Sequence, residues 1–292
     1  MEFRRFREED YDAVCDFFIA INRGGTQHIN WNWGRFEWMY GHPDFDSSLL
    51  NSIGLWWDGG ELVGAAVYDM YFGEAFCGVL PGRDALYPEI LAYAWAELRD
   101  EAGLGIAICD GNSREIEAAK AQGFVPVEQS ETVMQRRLDA PLPVRMPDGL
   151  SCQTLDPAQD SAEEIGWLFW RGFDHGEDRA AFEEDFRKTQ SAGGKIRKHF
   201  NPALSVAAAD PSGEKVACCC LWYQKQTDYA YVEPVCTVPA WRGKGAARAV
   251  VSEALNRARS LGAKKAYVIS DMAFYEKLGF KKERHFTFYW KK

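Results

Sequence analysis

This chain carries the same pattern twice, and any fold it adopts has to accommodate both copies. Gly60-Glu61-Leu62-Val63 is echoed by Gly213-Glu214-Lys215-Val216. Pro81 precedes a segment with Ile90, Leu91, Ala94, Trp95 and Leu98 on one helical face, stopped by Gly103. Pro239 stands 158 residues after Pro81, and its own amphipathic segment stops at Gly262, 159 residues after Gly103. Ala118-Ala119-Lys120-Ala121-Gln122-Gly123-Phe124 parallels Phe274-Tyr275-Glu276-Lys277-Leu278-Gly279-Phe280, with the glycines 156 residues apart. Three kinds of element held at nearly one offset indicate an internal duplication, one α/β unit used twice. Each half opens with a strand, at 2–7 and 150–155, and then a helix. Val14, Phe17, Phe18 and Ile21 mark the first of these helices; Ile165, Leu168 and Phe169 mark the second. The join falls at 139–149, where Pro141, Pro143, Pro147 and Gly149 break helix and strand alike. The expected domains are therefore 1–139 and 150–292, with 140–149 as linker.

Bulk properties narrow the class. A chain of 292 residues with 47% hydrophobic and 26% charged residues is that of a globular protein with more than one core. No apolar run approaches the ~20 residues a membrane helix needs, and Met1-Glu2-Phe3-Arg4-Arg5 lacks the apolar stretch of a signal peptide. A cytoplasmic protein without membrane association is expected. The net charge of −9 argues against nucleic acid as a partner, because that affinity comes from Lys and Arg neutralising phosphates. It fits a cationic substrate or simply a soluble acidic surface. Cys218, Cys219 and Cys220 are consecutive in an apolar run and point to alternate faces of a strand, so they read as small core residues. The five histidines are scattered without HxxxH spacing, and no Cys-x-x-Cys occurs, so no metal site is expected.

In the second half, 204–209 reads as a strand, Asp210-Pro211-Ser212-Gly213 as a turn and 215–223 as the returning strand. Strand 229–238 leads to a helix at 243–261, then a buried strand at 266–270, a short helix at 272–278 and a closing strand at 280–290. Between strand and helix lies Val238-Pro239-Ala240-Trp241-Arg242-Gly243-Lys244-Gly245-Ala246-Ala247. Gly243 and Gly245 leave room for a ligand to approach the backbone. The helix aims its positive end at the same place, which suits a phosphate.

These residues resemble the GNAT superfamily of acetyl-CoA-dependent N-acetyltransferases. Arg242-Gly243-Lys244-Gly245-Ala246-Ala247 matches the family's Arg/Gln-x-x-Gly-x-Gly/Ala signature, after a strand ending Val-x-Pro and ahead of Tyr275-Glu276-Lys277-Leu278-Gly279-Phe280. The resemblance covers both halves in element order and is strong in motif only in the second. It implies an α/β (α+β) fold of two tandem GNAT-like units, each a mixed, mostly antiparallel sheet flanked by helices, with a splay between its fourth and fifth strands. It further implies acetyl-CoA as co-substrate, its pyrophosphate on the backbone N–H groups of Arg242, Gly243, Lys244, Gly245, Ala246 and Ala247. Arg242 and Lys244 would either add charge or face solvent. The pantetheine amides would pair with the backbone of Cys236 and Val238, at Thr237.

The amine acceptor has to lose a proton before it attacks, and the departing thiolate has to gain one. Glu233, a carboxylate in a strand of Tyr, Val, Pro and Cys, is the expected general base; its other reading is a structural hydrogen bond. Tyr275 holds the family's general-acid position; its other reading is a core aromatic with a wet tip. Many relatives carry an Asn shortly before that tyrosine, whereas this chain has Ser270-Asp271-Met272, with Asp271 expected to cap the short helix or to replace the Asn at the cofactor. In the first half, Ala75 and Ala119 stand at the offsets of Glu233 and Tyr275, and Arg83-Asp84-Ala85-Leu86-Tyr87-Pro88 replaces the glycine loop. That copy reads as degenerate. Its Trp-rich segment from His28 to Tyr40 either packs the halves together or lines an acceptor pocket, which His175, Glu177 and Asp178 would also face. The expected function is transfer of an acetyl group to an amine of a small molecule or peptide through a ternary complex, by a monomer or weak homodimer. The alternatives are a non-catalytic acyl-CoA-binding or regulatory protein, or transfer of another acyl group.

Overall fold

The computed structural model describes residues 1–42, 44–192 and 198–292, with the backbone alone for 189–192. The first half runs β1 (Glu2–Arg5), α1 (Tyr11–Ile21), α2 (Trp33–Tyr40), β2 (Gly54–Asp58), β3 (Glu61–Asp69), β4 (Tyr71–Val79), α3 (Tyr87–Glu97), β5 (Leu104–Cys109), α4 (Ser113–Ala121) and β6 (Val125–Arg137). The second runs β7 (Ser151–Thr154), α5 (Ala162–Gly172), α6 (Arg179–Ala192), β8 (Val206–Ala209), β9 (Lys215–Tyr223), β10 (Tyr229–Thr237), α7 (Ala246–Leu261), β11 (Lys265–Ile269), α8 (Ala273–Lys277) and β12 (Lys281–Lys291). The two halves repeat one order throughout, as the duplication in the sequence predicts, while the second helix of each half, α2 and α6, is not among the expected elements. Chain chemistry explains the ends: Asn32 and Ser161 accept backbone N–H bonds at the starts of α2 and α5, and Gly262 stops α7 at φ +115°.

Among the described residues twelve strands form one sheet, in the order β1-β2-β3-β4-β5-β12-β6-β11-β10-β9-β8-β7. Adding six to each label of the first half and subtracting six in the second reverses this order, so the halves are related by a pseudo-twofold axis. The last strands are exchanged. β12 pairs antiparallel with β5 of the first half, β6 pairs antiparallel with β11 of the second, and the two cross side by side at the centre.

The exchange mixes the two cores. Phe286 and Tyr289 of β12, with Trp222, Tyr229, Tyr231 and Tyr267, pack into the core built by α1, α2, α3 and β1–β5. Met134 and Leu138 from the first half pack into the core beneath α7. Along β10 the strand period divides the work: Tyr229 and Tyr231 face the first core, Ala230 and Val232 the second. The α2 backbone lies directly on β9, since a Cβ on Gly34 would sit 2.5 Å from Cβ of Trp222. The linker is pinned rather than loose, with Leu142 N–H donating to Asn256 Oδ1 at 2.7 Å and Asn256 Nδ2 donating back to Leu142 O at 3.0 Å. Among the described residues no helix is long and apolar enough to cross a membrane.

Candidate active site

A groove of about 740 Å3 runs from the start of α7 to Tyr275. Gly243 and Gly245 stand at φ +72° and +96°, conformations that side chains rarely adopt, and Gly245 is the residue from which α7 starts. No side chain caps α7 and no acid lies in its first turn, so its leading N–H groups face the groove together with the positive end of a 16-residue helix. Arg248 and Lys277 add cations to the lining.

Arg242 lines the groove, and its guanidinium is already engaged there. Its Nε donates to Thr237 O at 2.9 Å, one Nη to Gly172 O at 3.0 Å and the other to Asp174 at 2.8 Å, fastening the end of α5 to the end of β10. Lys244 lies over the Trp241 ring, 5.1 Å from its centroid. Asp271 is exposed and outside the groove lining, and it does not cap α8; Met272 holds that position and donates its N–H to Ser270 Oγ at 3.1 Å. Of His175, Glu177 and Asp178, only His175 reaches the site: Glu177 pairs with Arg171 at 2.7 Å, and Asp178 accepts the N–H groups of Ala180 and Ala181.

The parallel strands β10 and β11 pair at three positions only, Tyr229–Lys265, Ala230–Ala266 and Tyr231–Tyr267. The rest of β10 turns one edge to the groove, and its register corrects an expectation. Val238 N–H donates to Val216 O at 2.9 Å, so its N–H is already used. Residues of an antiparallel ladder alternate, which turns Cys236 towards Cys218 as well and leaves Val235 and Thr237 facing the groove side, with the Thr237 C=O taken by Arg242 and its N–H and both polar groups of Val235 left open there. The available backbone is therefore that of Val235 and Thr237 rather than Cys236 and Val238. The Cys236 thiol is buried against Cys218 Sγ at 3.6 Å.

Between Val232 and Val235 the β9–β10 register slips by one residue, a bulge made by Glu233 and Pro234. It sets Glu233 in the wall of a second cavity, of about 400 Å3, lined also by Trp38, His42, His175 and Tyr231. The two cavities share Phe173, Val235 and Tyr275. Glu233 accepts a hydrogen bond from the Tyr231 hydroxyl at 2.5 Å. Burial pushes its carboxyl up to about 7, against the opposing pull of Arg35 and the Tyr231 bond, while Asp69 and Glu131 push the same way as burial. Arg35 on α2 is fixed by Asp69 at 2.7 Å and Glu131 at 3.1 Å, the latter on the exchanged strand β6. Burial also raises the Tyr275 phenol, so it stays protonated at neutral pH. The arrangement thus joins a base near neutrality and a protonated phenol across the meeting point of two cavities.

Arg35 is the member of this site that sequence reasoning missed. It lay in the Trp-rich segment, and nothing local marks it, because its partners Asp69 and Glu131 come from distant strands. The segment packs the halves together, with Trp33 against Trp222, and places Trp38 in the wall of the second cavity.

In the first half, Leu80 N–H donates to Val63 O at 2.9 Å, as Val238 does to Val216. From that anchor the β3–β4 register runs unbroken through Tyr68–Ala75, with no bulge. Glu233 therefore occupies an inserted position that the first half lacks. Ala119 replaces Tyr275 and is fully buried. The corresponding space beside Arg35 and Glu74 measures about 10 Å3, room for one water at most.

Residues 162–280 match the acetyltransferase (GNAT) family. No curated protein sequence matches the chain. Among solved structures, a tandem GNAT protein from the clavulanic acid biosynthesis pathway is similar over 99% of this chain and 98% of its own, at 16% identity and a TM-score of 0.62. A GCN5-related N-acetyltransferase from Sphaerobacter thermophilus is similar over 99% and 95%, at 18% identity and a TM-score of 0.57. A GNAT-family acetyltransferase from Colwellia psychrerythraea is similar over 100% of both chains, at 14% identity and a TM-score of 0.55. At these identities the likeness is one of fold. GNAT enzymes act on amine acceptors and generally use acetyl-CoA. Residues 162–280 thus match the GNAT acetyltransferase family, and the chain as a whole has the fold of tandem GNAT proteins.

Proposed function

We propose that the chain moves an acetyl group from acetyl-CoA to the amine of a small molecule or peptide, both bound at once. The observation that carries this reading is the meeting of the two cavities at Phe173, Val235 and Tyr275, with Glu233 in the second alone. The first cavity suits acetyl-CoA by its chemistry. The uncapped N–H groups at Gly245–Ala247 and the cations Arg248 and Lys277 would hold the phosphates. The groove-side edge of Val235 and Thr237 would pair with pantetheine amides as an added strand does. Acetyl-CoA, when bound, supplies an activated thioester. Residues 150–292 provide this groove, and residues 1–139 serve as a degenerate copy that completes the second cavity.

Glu233, as carboxylate, takes the proton of the incoming ammonium, directly or through a water. A backbone N–H on the free edge of β10 supports the charge that develops on the thioester oxygen. Tyr275 returns a proton to the departing sulfur, and the rise of its phenol keeps that proton in place until charge builds beside it. A sensor of acyl-CoA would need neither group. The test is release of free CoA thiol from acetyl-CoA across polyamines, aminoglycosides, amino acids and peptide N-termini. Turnover that depends on both Glu233 and Tyr275 supports the reading; turnover unchanged in Glu233→Gln and Tyr275→Phe removes it.

A further inference from the structure

The second cavity has a chemistry of its own. Among its described lining residues Glu233 is the one carboxylate, and none is Lys or Arg. Arg35, whose charge acts on Glu233, is not in the lining and is fixed on Asp69 and Glu131 at 2.7 and 3.1 Å. With Glu233 ionised, three carboxylates surround one guanidinium, so the field at the cavity wall is negative. The remaining walls are rings and aliphatic groups: Trp38, Phe173, Tyr231 and the imidazoles of His42 and His175, with Val268 and Ile269. Ring faces attract a cation, and most strongly where water is excluded. A second anion in this space would meet Glu233 with no lysine or arginine among the described lining residues, an arrangement that like-charge repulsion and lost hydration both disfavour. Trp38 comes from the first half and Phe173 from the second, so the cavity exists only where the halves meet.

We infer that the cavity between Trp38, Phe173 and Glu233 admits a cationic amine on an apolar or aromatic body and rejects one with a carboxylate beside the amine. That this guest is the acyl acceptor rests on the proposed function; its charge and shape preference does not.

Titration calorimetry of the full chain with the matched pairs phenethylamine and phenylalanine, and tyramine and tyrosine, tests it. The amines are expected to bind at least about 100-fold more tightly than their amino acids, the scale of an unrelieved like-charge contact. Trp38→Ala should weaken amine binding about tenfold or more through loss of the ring face, while Trp38→Phe keeps most of it. Phenylalanine binding within tenfold of phenethylamine, no saturable amine binding, or amine binding indifferent to Trp38→Ala in a folded protein each overturns the inference. CoA release is measured on the same samples. Selective amine binding without release from any of them leaves this inference standing and removes the acyl-transfer reading instead.

Discussion

The Tyr231 hydroxyl donates to Glu233 Oε2 at 2.5 Å, joining a paired residue of β10 to one in its bulge. That bond holds the carboxylate in the cavity wall and favours its charged form, while burial disfavours it more strongly. Tyr231 is itself buried in the first-half core, so the position of Glu233 is set from the opposite half of the molecule.

Burial pushes the Glu233 carboxyl up to about 7 in the folded protein, and as the proposed base it must be ionised to work. The kcat/KM for the amine should therefore rise as pH passes through about 7. Glu233→Gln should lower kcat by roughly 10²–10⁴-fold and flatten that limb. The raised carboxyl also costs stability. The folded protein holds this proton between the ordinary value of 4.5 and about 7, where the unfolded chain has lost it. Stability from this group is thus greatest below 4.5 and declines as pH rises to about 7, by an amount on the order of 3 kcal/mol. Glu233→Gln should accordingly raise Tm more at pH 8 than at pH 5, measured by calorimetry.

Tyr231→Phe removes one bond to the carboxylate and leaves the ring in place. Glu233 should then titrate higher, so activity falls more at pH 6.5 than at pH 8.5. An unmoved acid limb in the pH profile would show that Tyr231 has no hold on the base.

Arg35 makes the same argument from the first half. Arg35→Lys keeps one charge but loses the fork that engages Asp69 and Glu131 together. The acid limb should shift upward and Tm should fall, because buried carboxylates lose part of their compensation. A pH profile identical to wild type would assign Arg35 to packing alone.

Gly245→Ala and Tyr275→Phe should separate binding from chemistry. Alanine at φ +96° is strained by about 1–2 kcal/mol, at the point where α7 exposes its N–H groups. Its effect belongs in the KM for acetyl-CoA. Tyr275→Phe leaves that loop untouched and should lower kcat by about 10²–10⁴-fold instead. Initial rates of CoA release over both substrates distinguish the two.

Much of this was legible in the sequence. Offsets near 158 gave the duplication, hydrophobic periods placed β9 on its observed bounds, and Gly262 marked the end of α7. The strand exchange was not legible, because β6 and β12 hold corresponding places in the repeat and fit either neighbour. Only the spatial path of the chain decides between them. The groove-facing backbone was misread by one residue for a related reason. Alternation inverts with a one-residue shift, and the anchor that fixes it, Val238 on Val216, is a pairing between distant residues. Arg35 escaped notice because its role is defined by carboxylates 34 and 96 residues away.

The exchange of β6 and β12 has a consequence for the halves as separate chains. A fragment of residues 140–292 keeps the glycine loop, Glu233 and Tyr275, yet its β11 loses β6, the strand that pairs with it from Val133 to Arg137. Its second cavity loses Trp38 and His42, and Glu233 loses the Arg35 cluster. Residues 1–139 alone lose β12, which covers β5 from Leu104 to Cys109. Displacement of catalytic groups by about 1 Å costs on the order of 10²-fold, so the isolated 140–292 fragment should release CoA at no more than about a hundredth of the full rate. Co-expressed with 1–139, it should co-purify in a 1:1 complex and regain activity, since each fragment carries the strand the other lacks. Size-exclusion chromatography with light scattering, followed by the thiol assay, reads both outcomes. Full activity from 140–292 alone would show that the first half is dispensable and that Arg35 and Trp38 lie outside the working site.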